Sequence, residues 1–439
     1  MHPEPALRAL RGAVLHCPDL PAGQVPDPAN PVVEVIEDGL VLLDGASVAG
    51  TCSYARREAH VSADASIVDY RGCLLLPGFV DVHTHYPQIA MIGAYGEQLL
   101  DWLTRYTFPA EAAFADEDYA RRMAEAFVRQ LLLNGTTTAM VYGTVHAHSV
   151  DALFEAATPV GLQLVAGKVL MDRNCPEALR DTPESAYEES ARLIERWHGK
   201  ERFRYAVTPR FAPTSTPEQL AAAGRLLTDF DGVHLQTHLA ENRAEVAWVA
   251  QLFPEARSYL DVYANAGLLG TRSVFGHCLH LDDTDQQVLH SHGCTLAFCP
   301  SSNAFLGSGI FDLTTAYAWR QKVALGSDVG AGTGFNLLRT LGDAYKAARL
   351  GQHLLTPECM LYMVTQAGAR SLELESRVGS FDPGKDADVV VLDPEATELT
   401  ALRTRDSDDP LDILFALTAL SDERHVRAVY VRGQQVARL

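Results

Sequence analysis

His83-Thr84-His85, within LLLPGFVDVHTHYPQ, places two imidazoles two residues apart. On an extended strand such residues share one face at roughly 6–7 Å, so both rings can converge on one ion while Thr84 faces away. His238, in VHLQTHLAE, and Asp328, in VALGSDVGAG, each follow a short apolar β-prone run and can complete the ligand set. Zinc takes imidazole nitrogen at about 2.0–2.1 Å and carboxylate oxygen at about 2.0–2.2 Å, and a catalytic site keeps one position for water. Glu241, three residues after His238, can approach the open side of the ion without ligating it and shuttle a proton between water and substrate. His277, in VFGHCLHL, can orient the water and stabilise an oxyanion, and Asp328 can hydrogen-bond the same water. Metal-assisted hydrolysis is the chemistry these types and spacings support.

Each residue also has a structural reading. Glu241 could favour a helix N-terminus electrostatically, Asp328 could form a turn before the following glycines, and His277 could be a core histidine beside His280. Two further His-x-His pairs, His146/His148 and His290/His292, show that the spacing alone is weak. His290 and His292 read as surface residues at a helix end; His146 and His148 lie a few residues beyond a strand and could line the same mouth. Lys168, on a strand, could bridge a second metal if modified. Context favours His83 and His85, which close an apolar strand and have partners at other strand ends.

The elements that must position these residues are legible. A strand-like run ending at His83–His85 and further runs at 136–143, 162–170, 203–212, 233–240, 273–281, 295–300 and 323–328 alternate with amphipathic segments such as 116–134, 184–198, 217–229, 242–252 and 336–350. Asp116 is a suitable N-cap and Gly135 a suitable stop for the first of these helices. Eight buried strands alternating with helices predict a (β/α)8 TIM-type barrel over 74–377, an α/β fold whose chemistry sits at the carboxyl ends of its strands. Outside it, runs at 8–16, 32–44 and 67–76, together with VGSFDPGKDADVVVLD and RHVRAVYVRGQQV, read as strands. Residues 1–73 plus 378–439 are therefore expected to form a small composite β-sandwich domain, with 395–411 rich in loop.

The 439-residue chain carries a formal charge of −20 and is 47% apolar, a globular composition that argues against nucleic acid or anionic membranes as partners. Eight scattered cysteines form no CxxC, as expected of unpaired thiols in a reducing compartment. No signal-peptide pattern or run of roughly 18 apolar residues is present, so a cytoplasmic location is expected.

PGFVDVHTH, the HxxE of 238–241, His277 and Asp328 resemble the amidohydrolase superfamily. HYPQ at 85–88, TFPAE at 107–111, TPRFAPTS at 208–215, HLAENRAEV at 238–246, CPSSNAFLGSG at 299–309 and SDVGAGTGFN at 327–336 are similar to segments of the guanine deaminases within it. That resemblance spans nearly the whole chain and implies a homodimer that hydrolyses guanine to xanthine and ammonia in purine catabolism or salvage, with one Zn2+ per chain. It implies zinc ligation by His83, His85, His238 and Asp328, catalysis by Glu241, Asp328 and His277, and purine recognition by Gln88, Arg210 and Phe211. An aromatic wall with fixed polar groups suits a flat heterocycle. Arg210 only donates, which suits a carbonyl acceptor and rejects an amino group. Arg210→Met is accordingly expected to lower guanine kcat/KM with the fold intact. The alternatives are a deaminase of a related amino-heterocycle, such as 8-oxoguanine, a pterin or an aminotriazine, and a catalytically silent barrel serving as a scaffold.

Overall fold

The computed structural model describes residues 8–21, 24–61, 65–96 and 98–438. The first strands are β1 (Arg8–His16), β2 (Glu34–Asp44), β3 (Ser47–Ser53) and β4 (Ser66–Pro77). There follow β5 (Phe79–His85), β6 (Thr136–Tyr142), β7 (Gln163–Gly167), the short β8 (Val169–Leu170), β9 (Phe203–Pro209) and β10 (His234–Leu239). The remainder are β11 (Ser273–His277), β12 (Thr295–Phe298), β13 (Lys322–Leu325), β14 (Val389–Leu392), β15 (Val426–Val431) and β16 (Gln434–Arg438).

Eight strands lie in the order β13-β12-β11-β10-β9-β7-β6-β5, each pair parallel, with β8 extending the register of β9. Strands β5, β6, β7, β11 and β12 are buried at every residue, as parallel strands covered on both faces must be. The barrel closes between its first and last strands. Asp328 N–H donates to the His83 carbonyl and His85 N–H to the Val329 carbonyl, both at 2.8 Å. The seam therefore runs through three of the proposed ligands, and any slip in closure would misplace them.

Helix starts follow the side-chain chemistry. Asp116 accepts from the backbone N–H groups of Asp118 and Tyr119 at the head of Glu117–Leu133, and Gly135 takes φ 83 after its end. Asn242 and Glu245 form a reciprocal capping box at the start of Arg243–Leu252.

The chain ends contribute a separate seven-stranded sheet, order β16-β15-β14-β4-β1-β2-β3. Leu10, Val14, Val41, Leu75, Val389, Val391 and Tyr430, drawn from distant strands of that sheet, share one buried cluster, so the sheet wraps around a core of its own. Its other side, including Leu74, Leu76, Val390 and Val429, joins the barrel core. Arg202 at the entry to β9 donates to Asp388 beside β14 at 2.7 Å, a buried ion pair that ties the two parts. The passage from sheet to barrel is short, since β4 leads through Gly78 into β5.

Two elements differ from the sequence expectation. β3 went unread because its small residues, SVAGTCS, dilute the β signal. The segment 395–411 is loop only in part: Thr397 caps a helix at Glu398–Thr404, and Asp409 with Pro410 starts another at Pro410–Leu420. Phe415 of the latter packs edge-on against Tyr345 of the helix Leu337–Leu350 at 5.1 Å, so this part of the C-terminal segment covers the barrel.

Candidate active site

His83, His85, His238 and Asp328 converge at the carboxyl ends of β5, β10 and β13, with one ligating atom of each lying within 4.8 Å of every other. The Nε2 atoms of His83 and His85 are 3.4 Å apart, those of His85 and His238 3.3 Å, and Asp328 Oδ1 is 3.4 and 3.3 Å from His83 and His85. Metal–ligand bonds of about 2.0–2.1 Å in a tetrahedral arrangement place neighbouring ligand atoms roughly 3.3–3.4 Å apart. The spacing thus fits a single ion bound by nitrogen and oxygen.

Protonation fits as well. Burial drives the His85 imidazole down to about 3 despite Asp328 beside it. Burial and the surrounding imidazoles hold His238 well below its ordinary value. Burial alone would raise the Asp328 carboxyl, but His83 and His85 outweigh it and hold it well below the carboxylate range. Neutral imidazoles and an ionised carboxylate are the forms that ligate.

The backbone sets each ring. His238 Nδ1–H donates to the Arg210 carbonyl at 2.7 Å, which fixes the tautomer and leaves the Nε2 lone pair facing the cluster. Tyr142 stacks on His85 with centroids 4.2 Å apart. Asp81, two residues before His83, accepts from the backbone N–H groups of His83 at 3.2 Å and Ser327 at 3.0 Å. Gly276 lies so near the His83 ring that a Cβ there would stand 2.6 Å from its Cε1, so only glycine lets the ring in. Ala240, His277 and Asp328 adopt φ of 51°, 71° and 50°, left-handed conformations that are costly for residues with a side chain. Their clustering at the strand ends means the surrounding fold imposes the directions of Glu241, His277 and Asp328.

Glu241 precedes the helix Arg243–Leu252, whose start was its competing structural reading, and turns inward, buried. Burial, reinforced by Asp328, raises its carboxyl to about 8, so it holds a proton at neutral pH. Ser308 Oγ donates to Glu241 Oε1 at 3.1 Å. The backbone N–H of Glu241 donates to Glu245, whose other oxygen accepts from Tyr259. His277 Nε2 lies 3.4 Å from Glu241 Oε2 and 3.8 Å from Asp328 Oδ2, while its Nδ1–H donates to Asn303 Oδ1 at 2.9 Å. One imidazole nitrogen therefore stands between the two carboxyl groups.

The pocket beside the cluster is lined by His85, Gln88, Leu99, Leu103, Arg210, Phe211, His238, Glu241, His277, Leu306, Asp328 and Ala331. All residues expected at the metal, the acid and the purine site thus meet in one place. Phe211 forms an apolar wall, backed by Trp248. Arg210 and Gln88 are held by Glu111, a fully buried residue that sequence reading passed over. Arg210 Nη1 donates to both Glu111 oxygens at 2.7 Å and Gln88 Nε2 donates to Oε1 at 3.2 Å. This corrects the expectation for Arg210→Met. Removing the guanidinium strands a buried carboxylate, which costs about 3–5 kcal/mol of stability.

The remaining candidates lie elsewhere. His148 Nε2–H donates to the Phe114 carbonyl at 2.7 Å, His146 stacks on it at the head of the helix Ala147–Ala157, and neither joins the ligand cluster. Lys168 Nζ is engaged by Asp181 at 2.9 Å and Glu189 at 2.8 Å, so it does not bridge a metal pair. His290 and His292 are exposed at the end of the helix Asp283–His292.

Known proteins share this arrangement of chain. The amidohydrolase family model matches residues 74–436. A guanine deaminase of Escherichia coli K12 is 47% identical over 436 residues, covering 99% of this chain and 99% of the relative. The solved structure of E. coli guanine deaminase superposes with a TM-score of 0.94 at 46% identity, covering 98% of this chain and 99% of that one. A guanine deaminase from C. acetobutylicum, solved with guanine in its active site, gives 0.88 at 27% identity over 98% of this chain and 100% of that one. With a family match over most of its length and a relative this similar from end to end, the chain belongs to the amidohydrolase family, in the group of its guanine deaminase relatives.

Proposed function

We propose that the chain is a zinc-dependent guanine deaminase that converts guanine and water to xanthine and ammonia. The observation that carries this reading is a buried three-histidine, one-aspartate cluster beside a single pocket in which Glu241 faces Arg210, Gln88 and Phe211. The 47% identical guanine deaminase and the guanine-bound relative support the substrate. His83, His85, His238 and Asp328 would hold the ion; the donor set suits zinc, and the ion when bound lowers the pKa of water toward neutrality.

The chain's own groups do the rest. Phe211 packs on the purine plane, and Arg210 and Gln88 donate to its acceptor edge, where guanine carries O6 and N7. Adenine presents an amino group there and is rejected. Glu241, protonated, gives its proton to the ring nitrogen next to C2, which makes C2 electrophilic. Water oxygen bonds to C2 while Asp328 takes one of its protons, and the His277 ring faces the developing negative charge. The proton passes from Asp328 by way of His277 and Glu241 to the amino nitrogen, following the 3.8 and 3.4 Å contacts. As the C2–N bond breaks and ammonia leaves, the proton remaining on the C2 oxygen returns to Glu241, giving xanthine and the starting form of the site. A homodimer and a cytoplasmic location complete the proposal. The family resemblance supports the first. For the second, among the described residues no helix is long and apolar enough to cross a membrane.

The test is ultraviolet detection of xanthine formed from guanine, beside adenine, 8-oxoguanine, a pterin and an aminotriazine. Guanine as the preferred substrate upholds the reading; ammonia released faster from another member replaces it. For Arg210→Met, guanine kcat/KM should fall about 10–10²-fold, the worth of a hydrogen bond to a charged group, and the melting temperature should fall because Glu111 is left unpaired. Unchanged selectivity between guanine and adenine in the folded variant removes Arg210 from recognition.

A further inference from the structure

Glu111 is neither a ligand of the metal cluster nor a pocket-lining residue, yet it is buried behind the lining and accepts from both residues at the recognition end. A carboxylate is an acceptor only, so its two partners must each turn a donor toward it. For Gln88 this settles which way the amide faces. Its NH2 points to Glu111, its carbonyl accepts from Gly330 N–H at 3.1 Å, and one N–H remains for the pocket. For Arg210, Nη1 alone meets the carboxylate, which leaves the other guanidinium N–H groups for a ligand. Glu111 also cancels the guanidinium charge, so this end of the pocket is donor-rich but electrically neutral.

We propose that Glu111 is the positioning residue that sets purine selectivity: by fixing Gln88 and Arg210 as two adjacent donors of no net charge, it selects a neutral ring edge bearing two acceptors. Guanine has that edge in O6 and N7, whereas a 6-aminopurine presents a donor and an acceptor. The inference rests on the guanine reading of the pocket and adds what enforces it. Without the carboxylate, only the Gly330 N–H still holds the Gln88 amide, which can exchange that single bond to turn its carbonyl inward and accept from a 6-amino group. The substrate to watch is 2,6-diaminopurine, which differs from guanine at C6 alone and, by the same replacement of its C2 amino group with oxygen from water, gives 2-oxo-6-aminopurine and ammonia.

The experiment compares kcat/KM for guanine and 2,6-diaminopurine in the full-length, metal-loaded wild type, Glu111→Gln, Gln88→Met and the double variant. Glu111→Gln should bind metal like the wild type, raise KM for guanine more than it lowers kcat, and narrow the guanine-to-diaminopurine ratio by about tenfold or more. In the Gln88→Met background the same change should leave the ratio unmoved, because the amide through which it acts is gone. Should Glu111→Gln fail to fold, Glu111→Asp, which keeps the charge but shortens the reach, decides in its place. A ratio that stays at the wild-type value in the variant that folds overturns the proposal, as does an equal narrowing with and without Gln88. Wild-type protein inactive on guanine overturns the substrate reading and this inference with it, whereas an active wild type with an unmoved ratio overturns this inference alone.

Discussion

Glu241→Gln is expected to lower guanine turnover by about 10²–10⁴-fold, the contribution of one positioned acid or base, while metal content stays at the wild-type level. Glutamine keeps the shape and can still accept from Ser308, so the backbone turn at Ala240 and the seat of His238 are preserved. What it loses is an exchangeable carboxyl proton. Metal analysis and steady-state kinetics on the same sample check this, and near-normal kcat removes Glu241 from proton transfer. The protonation of Glu241 also gives the sign of the pH response. Burial beside Asp328 raises the carboxyl to about 8, so the proton-donating form is present at neutral pH and is lost as pH rises through that value. The kcat/KM profile should therefore fall on the alkaline side, and a bound dication, by stabilising the carboxylate, can only move that limb to lower pH. A rate still climbing beyond pH 9 speaks against an acid role.

His85→Ala should be more damaging still. It removes one ligand, leaves a hole beside Tyr142 and takes away a neighbour of both His83 and His238. Metal content is expected to fall well below that of the wild type and guanine turnover by on the order of 10³-fold or more, since both water activation and the template are lost together. Because β5 is buried along its whole length and closed onto the loop after β13 by backbone bonds, the barrel itself should survive. Circular dichroism separates loss of metal from loss of fold. Full metal occupancy with normal turnover would show that this imidazole is no ligand.

Much of this site could be read from the sequence because its ligands follow apolar strands whose burial on both faces leaves an uninterrupted β signal. His83, His85, His238 and Asp328 each announce themselves as polar residues where such a run ends. Glu241 was readable through its spacing from His238, although a helix-start role competed until the structure showed it turned inward. The role of Glu111 was not readable, although the TFPAE segment that contains it carries part of the family resemblance. It lies 23 residues from Gln88 and 99 from Arg210, within a helical stretch where a glutamate is unremarkable, and only the fold brings the three together. The segment 299–309 likewise carries part of the resemblance, but the roles of Asn303 and Ser308 within it, which hold His277 and Glu241, needed the fold. At the C-terminus, the helices at Glu398–Thr404 and Pro410–Leu420 were obscured by the charged, proline-containing residues between them. Those residues cap helices here, and the packing of Phe415 on Tyr345 decides the outcome over local composition.

The most direct measurement is a titration of zinc into chelator-stripped protein with guanine turnover as the readout. Activity should be absent at the start, rise in proportion to added zinc and break at one equivalent per chain, as four side chains around one ion require. Xanthine formed at full rate by the stripped protein, or a rise with no break near one equivalent, would contradict a single catalytic ion held by His83, His85, His238 and Asp328.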